Sequence, residues 1–248
     1  MVSKIALSAI VSAGFVAAQT NPEAQGACNP TQGGSNACGP NGSEDWLNSG
    51  IEGDGWNPPF LDINNLTHIS LEDFYNGPGG ACRQYDSAFK SSGQKYNIDP
   101  AILAFIGMQE SSCDNNAGGY TPGLMQCSPD NCQNGRQDCQ WPVEDNVDCG
   151  AHYLRSQLDN SNQNAIHAIG TYNGWFTAAD NTGLNGGKGL TTSYPCSDEG
   201  RRNGSPQNLN YIHETLNGWF QGKDMYGSDA NLDGKYDCQG NCDGGRQC

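Results

Sequence analysis

The sequence predicts a mainly α-helical, disulfide-rich protein with irregular extensions at both ends. Apolar residues recur at helical spacing in several stretches, and no stretch shows the strong alternation of apolar and polar residues that is typical of strands. Twelve cysteines and 34 glycines among 248 residues indicate long connections that disulfides tie together. A chain of this length is sufficient for one good core with appendages, or for two small domains.

The first 18 residues have the features of a secretory signal peptide. Lys4 provides the positive start, residues 5–16 are mostly apolar, and a small-residue cleavage site precedes Gln19. The apolar run is too short for a membrane-spanning helix, and no later run approaches that length. We therefore expect a secreted, extracellular protein, in which the even number of cysteines predicts a set of disulfides.

The charge of the chain excludes some classes of partner. A formal net charge of −15 argues against binding to nucleic acid or to an anionic membrane surface. The four histidines are scattered and none lies in a metal-ligand motif, so disulfides explain the cysteines better than zinc does. We expect a monomer without a cofactor.

Residues 19–79 predict an N-terminal extension or a very small module, because they are poor in periodicity and rich in Gly, Asn and Pro near the start. Trp46 and Trp56 are isolated aromatics in this segment, and each would either pack a loop onto the body or stack on a sugar ring. One or two helical turns are expected within residues 61–75. Sequons, which fit a secreted eukaryotic protein of the fungal type, occur at Asn41, Asn65 and Asn203.

The main helical domain is predicted to cover residues 80–221. A moderately periodic helix at residues 82–96 comes first. The next helix is capped by Asp99 and opened by Pro100. Its residues 101–108 carry no polar side chain, so we expect this helix to be buried on all sides.

Glu110 ends this apolar helix. Burial and the negative end of the helix dipole both disfavour the charged form of a carboxyl, so both raise the pKa of Glu110. A raised pKa suits a general acid near neutral pH. On this segment alone, Glu110 is equally well explained as the first exposed residue past a core helix.

Residues 113–142 predict a long irregular loop, and such loops in compact domains are usually functional. Four cysteines in the loop indicate that it is pinned, with a small β excursion near residues 123–127. Apolar spacing predicts three further helices, at residues 144–158, 164–172 and 209–220.

Residues 222–248 predict a separate acidic, cysteine-rich tail. Part of it matches the first half of a calcium-binding loop, in which the candidate ligands are Asp229, Asn231, Asp233 and Asp237. The glutamate that such a loop needs at its twelfth position is replaced by Gly240. A tail held by disulfides, without calcium, is therefore the alternative.

Four short motifs follow one another in the predicted domain: Glu110-Ser111, Gly123-Leu124-Met125-Gln126, Thr171-Tyr172-Asn173-Gly174 and Tyr211-Ile212. Each motif is weak alone. In this order and at this spacing they resemble the catalytic domain of soluble lytic transglycosylases and goose-type lysozymes. The resemblance implies a lysozyme-like fold with a cleft for a β-1,4-linked polymer of N-acetylated amino sugars.

The resemblance also implies a role for each matching residue. Glu110 matches the single catalytic acid, and Gln126 matches a residue that lines the sugar cleft. Tyr172 and Asn173 match a motif that positions the acid and the sugar, and Tyr211 matches a tyrosine near the catalytic carboxyl. The substrate-binding candidates are Ser111, Gln126, Tyr172, Asn173 and Tyr211.

The sequence departs from the family pattern at several positions near these motifs. Thr171 replaces the usual alanine, and Trp175 replaces a common glycine, which predicts a different cleft wall there. Cys127 stands where a branched aliphatic residue is usual. Goose-type enzymes have a water-holding aspartate at the place of Ser128, and the nearest acid here is Asp130.

The implied activity is cleavage of β-1,4 bonds between N-acetylmuramic acid and N-acetylglucosamine in peptidoglycan, by hydrolysis or by lytic transglycosylation. Cleavage of chitin or chitooligosaccharides is an alternative, because both polymers contain N-acetylglucosamine. A non-catalytic glycan-binding or effector protein on the same fold is a second alternative, motivated by the acidic charge, Trp175 and the missing aspartate.

Overall fold

The computed structural model describes residues 38–133, 142–203 and 208–227, together with Tyr236. Within this part of the chain, no helix is long and apolar enough to cross a membrane. No group of three or more histidine, cysteine or acidic side chains in it is arranged to hold a metal ion. Outside the described residues lie the predicted signal peptide and the calcium candidates Asp229, Asn231, Asp233 and Asp237.

The described part is mainly helical, as the sequence predicts. Its strands form one short hairpin, in which β1 (Cys38–Gly39) pairs antiparallel with β2 (Gly42–Ser43). The α-helices, numbered α1 to α8 in chain order, are Glu44–Leu47, Leu71–Asn76, Asp86–Tyr96, Pro100–Ser111, Val143–Asn160, Ala165–Tyr172, Asp198–Arg202 and Tyr211–His213. Short 3₁₀ segments lie at Ile63–Asn65, Pro78–Tyr85, Pro129–Asn131, Ala178–Asp180 and Leu184–Gly187.

Helix α4 is the buried helix that the apolar run predicts. The Asp99 carboxylate accepts a hydrogen bond from the Ala101 backbone N–H at 2.8 Å, and Pro100 occupies the first helical position. All side chains from Ala101 to Gln109 are buried. The helix ends at Ser111, and the capping residue Ser112 adopts a left-handed φ of 57°, a conformation that commonly closes helices.

Neighbouring elements enclose α4. Helices α2, α3 and α5 pack against it, and so does the C-terminal helical segment. The ring of Phe105 lies edge-on to Phe74 of α2, with 4.7 Å between ring centroids, and 4.6 Å from Phe220. Burying each of these rings contributes about 2 kcal/mol. The packing fixes the end of α4, and therefore Glu110, relative to the rest of the domain.

The C-terminal helical segment differs from the regular helix expected at residues 209–220. It begins as α8, widens into a π-helix at Glu214–Gly218 and tightens into a 3₁₀ turn at Trp219–Gln221. Such changes of pitch are short and are set by local packing, so a search for 3.6-residue periodicity does not reveal them.

Two disulfides fasten the loop that follows α4. Cys82–Cys113 joins the 3₁₀ segment before α3 to the start of the loop, and Cys127–Cys149 joins a later part of the loop to α5. The prediction that this loop is pinned is therefore confirmed for its described residues.

Residues 38–79 pack onto the same core as α4. Trp56 is 1% exposed, and its indole N–H donates to the Leu47 carbonyl at 3.0 Å. The interpretation of Trp56 as a sugar-stacking residue is therefore wrong, because its ring faces are inside the protein. Trp46 is also packed against the core, although it is only partly buried.

The sequon at Asn41 is buried, unlike the other two. The Asn41 side chain is 0% exposed, and its amide nitrogen donates to the carbonyls of Thr67 and Leu216 at 2.9 and 2.7 Å. A glycan on that nitrogen is incompatible with both contacts. Asn65 is exposed and leaves room for one; Asn203 is exposed as well, although its amide nitrogen donates to the Tyr194 hydroxyl at 2.9 Å.

Candidate active site

Glu110 lies at the C-terminal end of α4 and faces a cleft. Its Oε1 accepts a hydrogen bond from the Tyr211 hydroxyl at 2.5 Å. Burial raises the pKa of Glu110 to about 7, and the bond from Tyr211 lowers it by a smaller amount. At neutral pH the carboxyl is thus close to half protonated, which allows it both to give and to accept a proton.

Two tyrosines surround the carboxyl. The Tyr172 hydroxyl donates to the Met125 carbonyl at 2.9 Å, and the Tyr211 hydroxyl donates to Glu110. Burial first, and then the negative charge of Glu110, raise the pKa of both phenols well above the usual value. Both hydroxyls therefore stay neutral and remain hydrogen-bond donors whenever Glu110 is ionised.

The loop with the Gly-Leu-Met-Gln motif forms a tight turn beside the carboxyl. The Gln126 backbone N–H donates to the Gly123 carbonyl at 3.1 Å, and its side-chain amide donates to the same carbonyl at 2.8 Å. The β excursion expected near residues 123–127 is therefore wrong. Gln126 has a positive φ of 46°, a conformation that costs a residue with a Cβ about 1–2 kcal/mol.

Asn146 of α5 holds this turn in place. Its side-chain oxygen accepts from the Met125 backbone N–H at 2.6 Å, and its amide donates to the Pro122 carbonyl at 3.2 Å. The Asn146 side chain is fully buried. The sequence analysis does not predict a role for Asn146. The one indication in the sequence is that this asparagine directly precedes Val147 on the apolar face of a predicted helix.

Ser111 has a positioning contact. Its hydroxyl donates to the Leu124 carbonyl at 2.7 Å and so ties the end of α4 to the loop. It also accepts from the Asp114 backbone N–H at 3.1 Å. Because the hydroxyl proton of Ser111 is engaged in the hydrogen bond to Leu124, Ser111 has no proton left to donate to a sugar.

The cleft in front of Glu110 has a volume of about 410 Å³. Four of the six residues predicted for the site line this cleft. Tyr211 does not line it, but its hydroxyl donates to Glu110, which does. The lining residues are Glu110, Thr121, Gln126, Cys127, Ser128, Asn131, Tyr153, Thr171, Tyr172, Asn173 and Gly174. Sequence reasoning did not predict Thr121, Asn131 or Tyr153, since nothing in their local pattern distinguishes them from other loop or helix residues.

The carboxyl of Glu110 is the only one among the described residues that line the cleft. Ser128 lines it at the place where goose-type enzymes have an aspartate, and Asp130 is exposed outside the lining. Glu214 is also outside the lining, and its carboxylate accepts hydrogen bonds from the side-chain amides of Gln109 and Asn210 at 3.1 and 3.2 Å. Among the described residues, Glu110 therefore supplies the single carboxyl of the cleft.

Trp175 lies in the core behind the cleft. It is 1% exposed, its indole N–H donates to the Asn208 carbonyl at 3.1 Å, and its ring lies edge-on to Trp56. Trp175 is not among the residues that line the cleft at Glu110; it lines a neighbouring cavity that shares Thr171 with the cleft.

A family model agrees with this geometry. Residues 87–189 match the transglycosylase SLT domain. The match begins in α3 and includes Glu110, Gln126 and the Tyr172-Asn173 pair, whereas Tyr211 lies beyond its end. Residues 87–189 are thus similar to the transglycosylase SLT domain, in agreement with the lysozyme-like domain that the order of the motifs predicts.

Proposed function

We propose that the protein is a secreted glycosidase that cleaves the β-1,4 bonds of peptidoglycan between N-acetylmuramic acid and N-acetylglucosamine, with Glu110 as acid and then base. The SLT domain supports peptidoglycan cleavage of the lytic transglycosylase type in general. The observation that carries the proposal is the Glu110 carboxyl, the single one in the described lining of the cleft, whose pKa is raised to about 7 by burial. Buried disulfides fit an extracellular site of action.

In the first step, Glu110 donates its proton to the glycosidic oxygen as the bond to the anomeric carbon breaks. Tyr211 donates to Oε1, so Oε2 is the oxygen left to carry the proton. After the transfer, the bond from Tyr211 stabilises the new carboxylate. Because the described lining holds no second carboxyl, we assign the stabilisation of the cation to the carbonyl oxygen of the substrate's own N-acetyl group.

In the second step, the Glu110 carboxylate takes a proton from the attacking hydroxyl and returns to the neutral acid. If the attacker is the 6-hydroxyl of the same sugar, an anhydro ring closes. If it is water, the product is a reducing sugar. Goose-type enzymes have an aspartate that helps to hold the attacking water, and Ser128 stands at its place here. Because serine has no carboxylate for this role, the substitution favours the anhydro product.

Two side chains have acceptor oxygens suited to the sugar. The Asn173 side-chain oxygen has no hydrogen-bond partner among the described residues, although it lies at the cleft. Gln126 also lines the cleft, and it uses an amide N–H on the Gly123 carbonyl. We assign both residues to binding of hydroxyl or acetamido N–H groups, and Tyr172 to fixing the loop through Met125.

One observation favours chitin or chitooligosaccharides as a second candidate substrate. The described lining of the cleft contains neither Lys nor Arg, and the whole chain has a formal net charge of −15. Peptidoglycan carries acidic peptide stems, whereas chitin is uncharged. The described part of the lining, in which there is no cation, therefore provides no electrostatic preference for the acidic polymer.

The test is product analysis with wild type and Glu110→Gln side by side, on purified peptidoglycan and on chitohexaose. We expect wild type to release fragments and Glu110→Gln to release none, while circular dichroism shows the same fold. Mass spectrometry of the fragment ends separates anhydro from reducing sugars. Full activity in Glu110→Gln would refute the proposal, and binding without turnover by wild type at every pH would favour a non-catalytic glycan-binding protein.

A further inference from the structure

The C-terminal helical segment contacts the last turn of α4 at two consecutive residues. Tyr211 donates its hydroxyl proton to Glu110 Oε1, and the side chain of the preceding residue, Gln109, bonds to two further residues of the same segment. Gln109 is 7% exposed and is not among the residues that line the cleft. The segment lies beyond the residues that match the SLT domain.

Both ends of the Gln109 side-chain amide are hydrogen-bonded to this segment. The Nε2–H of Gln109 donates to Glu214 Oε2 at 3.1 Å, and its Oε1 accepts from the Trp219 indole N–H at 2.5 Å. The backbone carbonyl of Gln109 accepts from the Tyr226 hydroxyl at 2.5 Å. These bonds fix the residue that precedes Glu110 relative to the segment that carries Tyr211.

Glu214 is itself held in one orientation. In addition to Gln109, Asn208 donates to Glu214 Oε2 at 3.1 Å, and Asn210 donates to Glu214 Oε1 at 3.2 Å. Hydrogen bonds to a charged acceptor are stronger than bonds between neutral groups. The three amides therefore keep the Glu214 carboxylate at the position where it meets Gln109.

The bond between Glu214 and Gln109 runs beside the bond between Tyr211 and Glu110. Glu214 is three residues after Tyr211, and Gln109 is one residue before Glu110, so both bonds join the same two elements. A hydroxyl–carboxyl bond needs a separation of about 2.5–3.0 Å and weakens steeply when its angle is lost. A second bond between the same elements maintains that geometry.

Tyr211 is the contact through which the segment affects the protonation of Glu110. The titratable side chains that interact with Glu110 in the described part of the chain are Tyr172, Tyr211 and Tyr226. Burial raises the pKa of each of these phenols, so all three are neutral where Glu110 titrates. The charge of Glu214 acts on Tyr226, and His213 of α8 contacts Asn217 at 3.0 Å.

We propose that Glu214 is a positioning residue that, through Gln109, holds the Tyr211 hydroxyl against the Glu110 carboxyl. The inference rests on the proposed function, in which Glu110 is the acid and then the base. Glu214 is outside the described lining of the cleft, so its effect on cleavage passes through Tyr211. Without Glu214, the bond from Tyr211 loosens, and the carboxylate that forms after proton transfer is less well stabilised.

The test measures the pKa of Glu110 in the full chain by carbon-13 NMR titration of labelled glutamate carboxyl groups, with Glu110→Gln to identify its signal. In Glu214→Ala we expect this pKa to rise by about half to one unit, which is roughly half the rise expected for complete loss of the Tyr211 bond. In a Tyr211→Phe background the same change should add no further rise, because the contact through which Glu214 acts is absent. The alkaline limb of kcat/KM should move with the pKa.

Asn217→Ala is the matched control. Asn217 is also a buried polar residue of the π-helix, but its amide donates to the Gly42 carbonyl at 2.9 Å and its oxygen accepts from the Asn41 backbone N–H at 3.3 Å. It therefore joins the segment to the N-terminal hairpin instead of to α4. Its loss should lower the melting temperature and leave the pKa of Glu110 unchanged.

Glu214→Gln is the conservative variant. Its side-chain oxygen can still accept from Gln109, and its new amide can donate to the Asn210 side-chain oxygen, which has no hydrogen-bond partner in the described structure. We expect the pKa of Glu110 to return close to the wild-type value. If Glu214→Ala does not fold, Gln109→Met removes the same bond from the α4 side with an apolar chain of similar length, and should raise the pKa in the same direction.

Four results would overturn the inference: an unchanged pKa of Glu110 in the folded variant, an equal rise in Asn217→Ala, an undiminished rise in the Tyr211→Phe background, or no recovery in Glu214→Gln. The titration requires no turnover. Failure of the proposed function gives a different result, which is no cleavage by wild type or persistent cleavage by Glu110→Gln. The two failures are therefore distinguishable.

Discussion

Replacing Tyr211 by phenylalanine tests the electrostatics of the site most directly. The change removes the hydroxyl that donates to Glu110 Oε1 at 2.5 Å, while burial continues to raise the pKa of Glu110. Because this hydrogen bond favours the carboxylate, its loss must raise that pKa further. A hydrogen bond to a charged group contributes about 1.5–3 kcal/mol, and at about 1.4 kcal/mol per pKa unit the expected rise is about one to two units.

The assay is the pH dependence of kcat/KM, whose alkaline limb reports loss of the proton from the acid in the free enzyme. In wild type we expect this limb to fall above a pH of about 7. In Tyr211→Phe it should lie about one to two pH units higher, with a lower maximum because the carboxylate formed in the first step has lost a donor.

Tyr172→Phe is the control for this prediction. It removes a buried hydroxyl of the same kind, but that hydroxyl donates to the Met125 carbonyl. Its alkaline limb should stay near that of wild type, even if the rate falls because the loop is less well held. An alkaline limb in Tyr211→Phe that stays in place, or that moves to lower pH, would refute the reasoning.

The other predictions concern stability and the loop. Burial raises the pKa of Glu110 in the folded state from 4.5 to about 7. As pH rises through this interval, ionisation of Glu110 therefore lowers the stability of the folded protein by up to ~3 kcal/mol. Glu110→Gln should accordingly have a higher melting temperature than wild type at pH 8 and not at pH 4. Asn146→Ala leaves the Met125 backbone N–H unpaired in the core and should lower the free energy of unfolding by about 1–3 kcal/mol in urea titrations; a wild-type midpoint would contradict this. Replacing both Cys127 and Cys149 by serine should cost about 2–4 kcal/mol and raise KM, because the disulfide fastens the loop at the cleft; equal KM and stability would show that the loop needs no such support.

The sequence determines much of the fold near α4. Asp99 and Pro100 specify its start through local hydrogen bonding and a fixed φ, and the unbroken apolar run requires burial whatever surrounds it. The cysteines in the following loop indicate a pinned segment, and the order of the motifs indicates the family. The cap, the apolar run and the loop cysteines depend on residues close together in the chain, and the order of the motifs follows from the sequence directly, so none of these predictions requires the fold.

The tertiary structure alone decides which side chains share the cleft and what each one contacts. The bond between Tyr211 and Glu110 joins residues 101 positions apart, and the side chain that accepts from the Met125 backbone N–H, Asn146, comes from α5. Periodicity likewise cannot tell that Trp56 and Trp175 fill the core. Such outcomes depend on how distant elements pack, because exposure and hydrogen bonding are set by neighbours that the local sequence does not specify.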